Sequence, residues 1–77
     1  MAPHLTVVHW TTFDKFLKYI GCKFIREKGD HRVYWRDGLK RPIIVPRDKQ
    51  LPLFIIRNNL RILSISPDEY LEILKKL

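Results

Sequence analysis

The sequence predicts an α+β domain: a helix, a three-stranded antiparallel meander, then one or two C-terminal helices. Three observations carry this. Phe13, Phe16, Leu17 and Ile20 recur at helical spacing. The stretch from Cys22 to Val45 is rich in β-formers and is broken by Gly29 and by Asp37-Gly38. Ser66-Pro67-Asp68-Glu69 has Ser at N-cap, Pro at N1 and Glu at N3, the signature of a helix start.

Residues 1–10 form a lead-in, where His4 and His9 read as surface residues. In the first helix Thr11 is the expected N-cap, paired with Asp14 as in a capping box, and Gly21 is the expected residue just past the end. Three strands are predicted over 22–28, 31–36 and 40–45. Gly29 permits a tight turn with positive φ, and Asp37-Gly38 signals a hairpin. Pro42 cannot donate a ladder bond, which places the third strand at an edge. Residues 46–50 are a loop. The second helix runs over 52–63, with Phe54 and Ile55 widening its apolar face, and the third runs from Ser66 to the end. A three-stranded sheet in so short a chain carries helices on one face and leaves the other open for binding.

The 77 residues allow one domain, 1–77, and one small core. Fifteen Lys and Arg against eight Asp and Glu give a net charge of +7. Nine of the cations lie between Lys23 and Lys49, opposed only by Glu27, Asp30, Asp37 and Asp48. Such a field attracts nucleic acid, an acidic protein or an anionic membrane surface. The single cysteine, Cys22, forms no intrachain disulfide and reads as a small core residue, and the sequence offers no Cys cluster or paired His for a metal. Neither a signal peptide nor a membrane span is expected, so the chain reads as cytoplasmic and free of cofactors.

His31 opens the second strand beside the Lys28-Gly29-Asp30 turn, at the rim of the sheet, where an imidazole can exchange protons near neutral pH. Arg26, Lys28 and Arg32 are close in sequence and could hold a phosphate. If Val33 and Trp35 face the helices, then Arg32, Tyr34 and Arg36 form a basic, aromatic stripe on the open face, suited to phosphate contacts and base stacking. A solvated sheet face and an incidental histidine account for the same residues.

Phe24 to Tyr34, reading Phe-Ile-Arg-Glu-Lys-Gly-Asp-His-Arg-Val-Tyr, resembles the Arg-x-x-Gly-Ser-His strand–turn–strand of the HicA toxin family. Ile44-Val45-Pro46-Arg47 resembles the family's Val-Pro-x-His segment, and Leu60-Arg61 and Ser66 to Tyr70 resemble its later stretches. The resemblance covers about residues 8–74. It implies a double-stranded-RNA-binding-domain-like fold and a metal-independent mRNA-cleaving toxin, monomeric when free and neutralised by a HicB-like antitoxin. It gives His31 the role of catalytic acid/base, and Gly29 that of the turn glycine. The expected RNA-binding residues are Arg26, Lys28, Gly29, Arg32, Tyr34, Arg36 and Arg47. Asp30 stands where the family usually has Ser, Asp48 near where it often has a second His, and Phe54-Ile55 where it has Gly-Thr. A carboxylate at Asp30 would repel an approaching phosphate. The alternatives are a non-catalytic RNA-binding module of the same fold and a basic protein that docks an acidic partner.

Overall fold

The computed structural model describes residues 4–77. The first three residues of the lead-in lie outside the described residues. The element order is α1 (Trp10–Tyr19), β1 (Lys23–Lys28), β2 (His31–Trp35), β3 (Ile43–Pro46), α2 (Leu53–Leu63) and α3 (Pro67–Leu74). The three strands form one antiparallel sheet in the order β1-β2-β3. The α+β architecture and the meander are as the sequence predicts.

Several boundaries differ for identifiable reasons. Helix α1 starts at Trp10, and its N-cap is His9, whose ring accepts from the Thr11 amide. The lead-in fixes this entry: Val8 bridges Leu51, and the Trp10 amide donates to the Asp48 carbonyl. Asp14 is therefore not a capping residue, and it faces inward. Gly21 has φ 91°, as expected just past a helix end. Cys22 precedes β1 and is buried. β3 begins at Ile43 and takes in Pro46, so the connection after Asp37-Gly38 is longer than a two-residue hairpin. Phe54 does not join the core: it is 69% exposed.

The core lies between one face of the sheet and the helices. Phe13, Phe16 and Leu17 of α1 meet Tyr34, Ile43 and Val45 of the sheet, Ile56 and Leu60 of α2, and Tyr70 of α3. Asn59 of α2 donates to the Ile44 carbonyl at 3.1 Å, so α2 covers part of the β3 edge. That edge would otherwise present unpaired backbone groups. The opposite edge, β1, reads Lys-Phe-Ile-Arg-Glu-Lys and is exposed along its length, so its charges discourage strand addition.

Tyr70 packs edge-on against Phe16, with ring centroids 4.8 Å apart, yet its buried hydroxyl has no hydrogen-bond partner among the described residues. Burial pushes the Tyr70 phenol up to about 12, and burial is also the main reason Tyr34 is pushed up to about 12. An unfolded tyrosine ionises near pH 10. Between pH 10 and 12 the unfolded chain therefore holds fewer protons than the folded one, and stability falls as pH rises through that window. The Tyr70→Phe variant keeps the ring contacts and removes the orphaned hydroxyl. It is expected to gain about 1 kcal/mol at pH 7 and to lose stability less steeply between pH 10 and 12, with Tyr34 and the Cys22 thiol, which burial also pushes up, still contributing. Urea melts across pH check this; a variant less stable at neutral pH would show that the hydroxyl is satisfied.

Candidate functional site

The pairing register decides which side chains share a face, because residues opposite one another in an antiparallel pair point the same way. Tyr34 lies opposite Ile43 and Arg32 opposite Val45, and Ile43, Val45 and Tyr34 are buried. Arg32 and Tyr34 therefore point toward the helices. His31, Val33 and Trp35 point to the open face, together with Ile44 and Pro46 of β3. This reverses the phase the sequence favours. Trp35 and Ile44 are left 37% and 38% exposed on that face.

The reversal has a chemical cause. The Arg32 guanidinium lies 4.0 Å from the Phe24 ring centroid and 5.0 Å from that of Trp10. Its Nε donates to the Tyr34 hydroxyl at 2.9 Å, and its terminal nitrogens approach Glu27 at 3.2 Å and Asp14 at 3.7 Å. The Tyr34 hydroxyl in turn donates to Asp14, which also pairs with Lys18 at 3.0 Å. A cation held between aromatic rings and two carboxylates is saturated. Arg32 thus ties α1, β1 and β2 together, and buried Tyr34 cannot stack on a base. Arg36 is also engaged, donating to the Ile20 carbonyl at the end of α1 at 3.1 Å. The expected Arg32–Tyr34–Arg36 stripe is not on the open face.

The residues that do reach it come from β1. Arg26 lies opposite Val33 and Lys28 opposite His31, both exposed, so both flank the histidine's face. Neither has an ion-pair partner among the described residues. Arg47 is half exposed and splits its role: its Nε is 3.5 Å from Glu27, and its amide donates to the Asp30 carbonyl at 2.9 Å, fixing the turn beside His31.

That turn is a two-residue connection between Lys28 and His31. Gly29 has φ 61°, a conformation that favours glycine, while a Cβ there would meet nothing within 4 Å. Its contribution is thus conformational. Asp30 follows, with its Oδ1 2.9 Å from His31 Nδ1. An ionised carboxylate only accepts, so the Nδ1 nitrogen carries the proton in this pair. Nε2 of a neutral ring is then a free base. The His31 side chain is 56% exposed. It also lines a cleft of about 290 Å³ between β3 and α2, with Arg41, Ile44, Pro46, Asn58 and Ile62 among the walls.

Residues 10–65 match the family described as HicA toxin of bacterial toxin–antitoxin. The chain belongs to the HicA toxin family. The match spans most of the 77 residues and contains the turn, His31 and the β3–α2 cleft. Comparison with curated proteins and with solved structures returns no match. As a HicA protein, the chain is the toxin side of a toxin–antitoxin pair, and an antitoxin is its implied partner. No helix among the described residues is long and apolar enough to cross a membrane.

Sequence reasoning placed Trp35 on the same face as His31 but turned that face toward the helices, and it missed Arg41 beside His31. A signal for the reversed phase was present in α1. Asp14 sits among Phe13, Phe16 and Leu17 on an inward face, and a buried carboxylate requires inward-pointing donors. Arg32 and Tyr34 supply them.

Proposed function

We propose that this HicA protein is a metal-independent endoribonuclease that cleaves mRNA with His31 as its acid/base. The observation that carries the reading is the Asp30–His31 pair on an open, basic sheet face: Nδ1 is held and Nε2 is free. In this reaction the 2′-hydroxyl of a ribose attacks the adjacent phosphorus, and Nε2 takes its proton. The P–O2′ bond forms and the P–O5′ bond breaks, and the 5′ oxygen takes a proton from water. The products are a 2′,3′-cyclic phosphate and a 5′-hydroxyl. Lys28, directly across from His31, and Arg26 supply positive charge to the phosphate without a proton-transfer role.

Asp30 has two opposing effects on this chemistry. It orients the imidazole, and it repels the phosphate. Both partners are more than half exposed, and exposed pairs are worth at most about 1 kcal/mol. Neither effect is large enough to decide whether His31 works. Purified protein, free of antitoxin, is expected to cleave a single-stranded mRNA fragment in the presence of a chelator. RNA that stays intact yet binds, with affinity falling as salt rises, would favour the non-catalytic module.

A further inference from the structure

A strand that crosses His31 has to leave the open face, and the structure provides a path. The cleft that His31 lines shares Arg41, Asn58 and Ile62 with a second cleft of about 340 Å³, which continues along α2 past Lys40 and Arg61 to Ser64. No carboxylate lines either one. Lys40, Arg41 and Arg61 have no ion-pair partner among the described residues. Arg61 and Asn58 share a face of α2 with Phe54, at i+7 and i+4. These three also line a further depression on the outer side of the helix. Phe54 is the large apolar residue most exposed on α2.

We infer that this groove carries the RNA strand away from His31, with Lys40, Arg41 and Arg61 on its phosphates and Phe54 stacked on a base. The inference rests on the RNA-cleaving reading and adds the substrate's path to it. Three features favour one RNA strand over a protein occupant. The groove is continuous with the histidine cleft, its outer part is lined by Lys40, Arg41 and Arg61 with no carboxylate, and the exposed Phe54 ring stands beside it. Phosphate neutralisation and base–aromatic stacking are the two contributions that hold single strands in other proteins.

The test uses the His31→Ala chain, which keeps bound RNA intact, and a fluorescent single-stranded RNA of known sequence. Binding is measured by anisotropy across a salt series. Each phosphate contact on a single strand contributes about 0.7 to the slope of log affinity against log salt. The Lys40→Gln/Arg41→Gln/Arg61→Gln variant is therefore expected to show a slope shallower by about 2. A control of equal charge, Lys15→Gln/Lys75→Gln/Lys76→Gln, lowers the general field but leaves the slope almost unchanged. Phe54→Ala weakens binding by about tenfold while the slope stays the same. Arg41→Gln alone, shallower by about 0.7, keeps the inference testable if the triple variant fails to fold. Equal slopes for groove and control variants overturn it. So does a groove variant that binds RNA normally but no longer binds a HicB-type antitoxin, which would make the groove a protein site. Because binding is read without cleavage, a chain that binds RNA through the groove but does not cut it contradicts only the catalytic reading.

Discussion

The His31→Ala variant is expected to cut RNA about 10²–10⁴-fold more slowly than the native chain, the usual contribution of a positioned acid/base. Growth arrest on overexpression should disappear with it. The side chain is more than half exposed, so the variant should melt within about 0.5 kcal/mol of the parent, as surface substitutions do. That separation gives the prediction its force, since lost activity with retained stability reports chemistry rather than folding. Cleavage rate and thermal melting of the same preparations check it. A variant that cleaves at the native rate would move the chemistry to another group.

Asp14→Ala should have the largest effect on stability. Asp14 accepts from the buried Tyr34 hydroxyl, pairs with Lys18 and faces Arg32. Removing it leaves a buried hydroxyl without its acceptor and a largely buried guanidinium short of one counter-charge. Breaking a buried pair from one side costs about 3 kcal/mol. For a domain of this size that is a drop in Tm of roughly 10–25 °C and a large fraction of the total stability. Lys18→Ala removes an exposed partner of the same carboxylate and is expected to cost no more than about 0.5 kcal/mol. Denaturant melts of the two variants decide the point. Similar small losses would mean that water replaces Asp14 and that the network does not anchor β2 to α1.

That network also explains what the sequence could and could not tell. The order of elements is written locally: the Phe13–Phe16–Leu17–Ile20 spacing, glycines where φ is positive, and Ser66 capping Glu69 all act within a few residues. The phase of β2 is not local. Val33 and Trp35 are more apolar than Arg32, so hydropathy turns them inward. Pairing with Ile43 and Val45, and a carboxylate supplied from α1, turn Arg32 and Tyr34 inward instead. Three of the expected RNA-binding side chains are absorbed by the scaffold in this way: Arg32 and Tyr34 by Asp14, and Arg36 by the end of α1.

The part of the candidate site that is legible in the sequence is the part written in one tight turn. Gly29 sets the backbone, and Asp30 and His31 follow directly, so their juxtaposition needs no tertiary information. Arg41 lies ten residues further on. Its place beside His31 depends on β3 starting at Ile43 rather than at Lys40, and on α2 lying against the β3 edge through Asn59. Neither condition can be read from residue types at a fixed spacing. The open face gains Trp35 and Ile44 through the phase of the β2–β3 pairing.

The central claim is that His31 assists attack by the 2′-hydroxyl, and the chemical ends of the products test it most directly. A short RNA and its fully 2′-O-methylated counterpart would be incubated with the native protein in a chelator, and the products identified by mass spectrometry. The account predicts 2′,3′-cyclic phosphate and 5′-hydroxyl ends from the RNA, and no cleavage of the methylated strand although it still binds. Cleavage of both strands, or 5′-phosphate ends, would contradict it.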